Sequence, residues 1–111
     1  MSDGLLREPI EVVLQHDQDV RAGMISFDGR IVEFFGFREA DSARVHVRQV
    51  ERVDLDLKGG MLSTPTLTLH GRLGSLGYTQ AIDPREEEKP QLQELAAAIE
   101  KAASRYPEEV N

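Results

Sequence analysis

Residues 90–105 read Pro90-Gln91-Leu92-Gln93-Glu94-Leu95-Ala96-Ala97-Ala98-Ile99-Glu100-Lys101-Ala102-Ala103-Ser104-Arg105. Leu92, Leu95, Ala96, Ile99, Ala102 and Ala103 recur at spacings of three and four, which places them on one stripe of an α-helix. Glu86-Glu87-Glu88 precedes this run, and Lys101 and Arg105 close it, the charge order that a helix dipole favours. A proline inside a helix removes a hydrogen bond and clashes with the preceding turn. Pro90 therefore marks the start and Pro107 the end. A second start competes at Asp83-Pro84-Arg85-Glu86, where a cap-like aspartate is followed by proline and glutamate. The expectation is a turn or short helical stretch after Asp83, then the main helix from Pro90.

Upstream of the helix, the pattern changes to a period of two. Ile10 to Leu14 reads as a first strand, with Gln15-His16-Asp17-Gln18-Asp19 as the loop after it. Ala22 to Phe27 places Ile25 and Phe27 inward, and Asp28-Gly29 then signals a hairpin. Arg30 to Phe37 follows, with Val32 and Phe34 on one face and Ile31, Phe35 and Phe37 on the other. Arg38 to Ser42 reads as a polar loop. Arg44 to Arg48 and Arg52 to Lys58 alternate cleanly, joined by a bend at Gln49-Val50-Glu51. Thr64 to His70 sets Leu67 and Leu69 inward, with Pro65 confined to the strand's start or an edge. Leu76 to Ile82 is the last strand. Lys58-Gly59-Gly60 and Gly71 to Gly77 are turns.

Seven strands followed by one amphipathic helix predict a mainly β (α+β) domain, a bent antiparallel sheet whose open end the helix plugs. At 111 residues the chain makes one domain, assigned here to residues 10–106 between terminal segments 1–9 and 107–111. A charged share of 30% and a hydrophobic share of 40% fit a soluble globular chain. The chain lacks both the roughly 18 apolar residues of a membrane span and a secretory leader, so a cytoplasmic location is expected. Absence of cysteine removes disulfides, thiol nucleophiles and thiolate metal sites. A net charge of −7 opposes nucleic acid and anionic membranes, because both attract lysine and arginine.

The element order resembles a pleckstrin-homology-like domain, specifically its small bacterial versions. The resemblance spans about Ile10 to Arg105 and rests on two local features besides that order. One is the hairpin Gly23-Met24-Ile25-Ser26-Phe27-Asp28-Gly29-Arg30-Ile31; the other is the passage from Val45 to Val53 leading from one sheet into the next. It implies two nearly orthogonal antiparallel sheets forming a bent barrel, closed at its open corner by the helix. Two departures stand out. The family's eukaryotic members usually carry a tryptophan in the final helix; this chain has none, so Ile99 or Tyr106 would supply that packing. Phosphoinositide-binding members place a basic cluster at the first hairpin loop, where this chain has Asp17 and Asp19 with only Arg21 nearby.

Candidate chemistry is sparse. His16-Asp17-Gln18-Asp19 lacks metal-ligand spacing and reads as a solvated turn. His46 and His70 fall on outward faces of different strands. Gly71-Arg72-Leu73-Gly74-Ser75-Leu76-Gly77 lacks the Gly-Lys-Ser/Thr ending of a phosphate loop and reads as a hairpin connection. Ser63-Thr64 and Ser75 have no adjacent base. No enzyme, metal or cofactor is expected. The expected function is binding of protein, with self-association, through the second apolar face at Ile31, Phe35 and Phe37, unless Leu5 and Leu6 fold over it. A free sheet edge is another way to accept a partner. A peripheral membrane or lipid reading requires Arg30, Arg38, Arg44, Arg48 and Arg52 to cluster. A small-ligand carrier or enzyme requires a cavity lined by Phe27, Phe34 and Tyr78.

Overall fold

The computed structural model describes residues 9–14, 23–38, 41–58, 65–72, 77–82 and 84–105. In chain order the elements are β1 (Ile10–Leu14), β2 (Gly23–Phe27), β3 (Ile31–Arg38), β4 (Asp41–His46), β5 (Val50–Asp56), β6 (Thr66–Gly71), β7 (Tyr78–Ala81) and α1 (Lys89–Ala103). Short 3-10 turns occupy Val47–Gln49 and Glu86–Glu88. The strands form two antiparallel sheets, ordered β1-β2-β3-β4 and β5-β6-β7. No ladder joins one sheet to the other among the described residues, so the expected barrel is not closed. A 3-10 turn redirects the chain from β4 in one sheet to β5 in the other, two residues earlier than the bend expected at Gln49 to Glu51. His46 Nδ1 accepts the Arg48 N–H at 3.1 Å and holds the turn.

The β2–β3 hairpin forms where Asp-Gly signals it, with its tip displaced by one residue. Phe27 pairs with Val32, and the Asp28 N–H donates to the Ile31 carbonyl, so Gly29 and Arg30 make the tip. Gly29 takes φ 104°, a conformation that L side chains rarely adopt. The Asp28 carboxylate accepts the N–H groups of Arg30 (2.8 Å) and Ile31 (2.9 Å), which locks the turn. Burial alone would raise the pKa of this carboxyl; those backbone donors outweigh it and hold the group below the usual aspartate range.

The segment read as a loop from Arg38 to Ser42 instead begins β4 at Asp41. Gly36, at φ 80°, carries a shift in register between Phe35 and Arg38, after which pairing resumes at Arg38–Asp41. The irregularity takes up two residues of β3, Gly36 and Phe37, and lets the ladder continue.

The two sheets and the helix share one core. Val12, Leu14, Ile25, Phe27, Val32 and Phe34 come from the first sheet and Leu67 and Leu69 from the second. Leu92, Leu95, Ile99 and Ala103 of α1 bury the stripe read from its period, with Ala96 and Ala102 half-buried at its sides. Each large apolar side chain buried there contributes roughly 1.5–3 kcal/mol. Phe34 and Tyr78 join the sheets with ring centroids 4.7 Å apart. Tyr78 donates its hydroxyl to the buried Gln80 (2.6 Å), whose amide donates to the Ala81 carbonyl, so this polar side chain is satisfied inside the core. Helix α1 begins at Lys89, one residue before Pro90, which occupies the first turn where proline is tolerated. The adjoining 3-10 turn is capped by Glu88, which accepts the Arg85 N–H at 2.7 Å. Asp83 and Tyr106 lie outside the described residues.

Candidate functional site

Helix α1 runs antiparallel to β5, and the two ends of their seam are built differently. At one end Arg72, just past β6, sends its guanidinium to the carbonyls of Arg48 (3.2 Å), Val50 and Ala103 (2.9 Å). Its backbone N–H donates to Gln49 at 2.9 Å. Ala103 is the last helical residue, so a cation there neutralises a carbonyl left over at the C-terminus.

At the other end the seam opens into a groove of about 910 Å³. Val53, Leu55 and Leu57 form one wall, and Gln93, Ala96, Ala97 and Glu100 form the other. Among the described residues, strand β5 pairs with β6 on one side and with no strand on the other. The Val53 N–H points away from β6, because it meets Glu100 Oε2 at 3.5 Å, a long contact that leaves the donor weakly held. Peptide groups alternate in direction along an antiparallel strand, so Leu55 directs its own the same way. No backbone partner meets them there among the described residues. The groove is therefore floored by an open strand edge.

The outer face of β5 carries Arg52, Asp54 and Asp56, paired with His70, Thr68 and Thr66 of β6. Asp54 meets His70 Nε2 at 2.6 Å and Arg52 at 3.5 Å. The His70 hydrogen bond, helped by Arg52, keeps the Asp54 carboxyl below the usual aspartate range. Asp56 accepts the backbone N–H of Lys58 at 3.0 Å. A second, smaller groove of about 320 Å³ lies between β1 and the start of α1, lined by Ile10, Val12, Gln91 and Glu94 among others.

The residues singled out in the sequence are dispersed. On the outer face of the first sheet, Val13, Met24, Phe35 and Ser42 lie directly opposite one another across four strands. Val13 is 46% exposed, the exposed large hydrophobic side chain of the described residues, whereas Ile31 and Phe35 are half-buried. Ile31 faces His46, and Glu33, paired with Arg44 at 3.0 Å, stands between it and Phe35. The Gly36 bulge separates Phe37 from the alternation; the side chains of Phe37 and Arg38 lie outside the described residues. Leu5 and Leu6, the loop from Gln15 to Asp19, Ser63, Thr64 and Ser75 also lie outside them.

The arginines divide between the sheets. Arg44 faces Glu33 on the first; Arg52 faces Asp54 and His70 on the second. Arg30 and Arg48 both act on His46, and burial together with these two cations lowers its pKa against the pull of Asp28. The two candidate histidines belong to different sheets, and no group of three metal-ligating side chains forms among the described residues. Phe27, Phe34 and Tyr78 belong to the shared core, and neither groove is lined by them. Sequence reading missed the β5–α1 groove. Its one legible signal was the small side chains at Ala96 and Ala97 on the flank of the helix stripe.

No helix among the described residues is long and apolar enough to cross a membrane. Comparison with protein-family models, with curated proteins and with solved structures finds no match to the chain.

Proposed function

We propose that this chain is a non-enzymatic, pleckstrin-homology-like binding module that engages protein by accepting an extended segment along the free edge of β5. The observation that carries this reading is the edge of β5 not paired with β6, where the Val53 N–H turns towards Glu100 beside the groove. Unpaired edge groups seek hydrogen bonds, and an added strand supplies them in register. Packing supports it as well: Val53, Leu55 and Leu57 are half-buried side chains that a further strand would cover. The order of strands and helix supports the family resemblance, with the helix lying beside β5 and against the core.

Selection of binding peptides from a random library, repeated on Leu55→Pro, tests the reading. Proline removes an edge donor without touching the β5–β6 ladder. Loss of the selected peptides from a Leu55→Pro protein that keeps its circular dichroism supports strand addition; undiminished binding refutes it.

Self-association is a second reading, favoured by the exposed Val13 in line with Met24 and Phe35. Light scattering on the wild type and on Val13→Ser/Phe35→Ser separates the two. A wild-type oligomer that becomes monomeric in the variant supports it, and a monomeric wild type ends it. The membrane reading is favoured less, since Arg44 and Arg52 sit on separate sheets, each beside a carboxylate.

A further inference from the structure

Charge in the β5–α1 groove is uneven, and that unevenness bears on what a partner strand carries. Asp54, Asp56 and Glu100 line it, against a single lysine, Lys58. Asp54 is engaged by His70 and Arg52. Asp56 and Glu100 have no cationic partner among the described residues: the first accepts only the Lys58 backbone N–H, the second only the Val53 N–H.

Position divides the two faces of an incoming strand. Its side chains alternate between the faces that β5 itself presents. One set lies with Val53, Leu55 and Leu57 and packs towards Ala96 and Ala97, whose methyl groups leave room. The other set lies with Asp54 and Asp56 on the outer face. A strand carbonyl that reaches the Val53 N–H also displaces the Glu100 carboxylate, which then needs a new partner.

We infer that the groove selects an extended segment of a separate protein in which lysine or arginine alternates with apolar residues, the basic side chains answering Asp56 and Glu100. This rests on the strand-accepting reading of the same groove. The chain holds one segment of the same alternation, Ala43-Arg44-Val45-His46 on the edge strand β4, so a second copy is the rival occupant.

The test titrates the full chain with three peptides of equal length, alternating valine with lysine, glutamate or threonine, and follows the amide resonances of Val53, Leu55 and Leu57. The lysine peptide is expected to bind about tenfold tighter than the glutamate peptide at low salt, the gap closing in about 0.5 M salt. Asp56→Asn/Glu100→Gln should remove the preference. Glu86→Gln/Glu87→Gln, with the same change in net charge at exposed residues outside the groove lining, should keep it. Equal binding of all three peptides at those amides overturns the charge preference and leaves strand addition standing. No shift with any peptide overturns both. Concentration-dependent shifts of the same amides without peptide, abolished by Arg44→Glu, assign the groove to a second copy and overturn a separate partner.

Discussion

The two ends of the β5–α1 seam share one strand and one helix but satisfy the backbone in opposite ways. Near Val50, one guanidinium spends its donors on three carbonyls drawn from the 3-10 turn, the strand and the helix C-terminus. From Val53 to Leu55, the edge groups of the same strand meet, among the described residues, only a long contact from Glu100. Closure needs a rigid multidentate donor where carbonyls converge, which arginine supplies. An open edge needs only the absence of a neighbouring strand, and a charged side chain nearby is a common way to discourage indiscriminate pairing. The chain is thus fastened at one end of the seam and available at the other.

The largest test breaks both ends together. Ile99 is fully buried on the stripe of α1 that holds the helix to the sheets. Ile99→Ala is expected to cost about 3 kcal/mol in urea unfolding, from lost burial and the cavity left behind. A loss below about 1 kcal/mol would mean that the helix is not packed as described.

Breaking only the closed end should cost less. Arg72→Ala removes charge-assisted bonds to three carbonyls, one of them at the helix terminus, and is expected to lower stability by about 2 kcal/mol. Arg72→Lys should recover less than half of this, since an ammonium cannot reproduce the planar fork. Full rescue by lysine would reduce the role of Arg72 to that of a point charge.

Amide exchange sharpens the contrast without mutation. By alternation, Arg52, Asp54 and Asp56 direct their N–H groups into the β6 ladder, whereas those of Val53 and Leu55 point to the groove. The first set should exchange slowly and the second quickly. Uniform protection along β5 would show that the edge is already covered.

Acid titration reports on the outer face beside the open end. The depressed pKa of Asp54 means that its ionised form is favoured by folding. Its contribution is complete above the ordinary aspartate range and is lost as pH falls through the lower folded value. Asp28 behaves in the same sense at the hairpin. Asp54→Asn should flatten part of the acid limb of the stability profile, and Asp28→Asn a separate part. Unchanged acid limbs in both variants would contradict these bonding patterns.

The smallest expected effect is at Glu100. Glu100→Gln should change stability by less than about 0.5 kcal/mol, because the side chain is exposed and its contact with Val53 is long. A large loss would show that Glu100 closes the edge and is not a displaceable neighbour.

Much of this fold was legible because periodicity is a local property. The stripe from Leu92 to Ala103 and the alternation at Leu67 and Leu69 each report burial along a single element. Boundaries were less legible where one residue overrides the pattern. Gly36 admits a bulge that carries β3 and β4 onward to the Arg38–Asp41 pair, and Asp28 moves the hairpin tip by bonding the two residues beyond it. The apolar face expected at Ile31, Phe35 and Phe37 followed from strict alternation along one strand. Cross-strand register instead aligns Phe35 with Val13 and Met24, residues 22 and 11 positions away.

By itself, the sequence determined that seven strands precede one helix, the buried stripe of that helix, the inward residues of most strands and the acidic character of the chain. Only the tertiary structure decided that the sheets remain unjoined among the described residues, that Arg72 closes one end of the helix–strand seam, and that no described strand covers the edge of β5 beside Ala96 and Ala97. The reason is physical: burial is imprinted on each segment by its own period, while an unpaired edge is a relation between segments far apart in the chain.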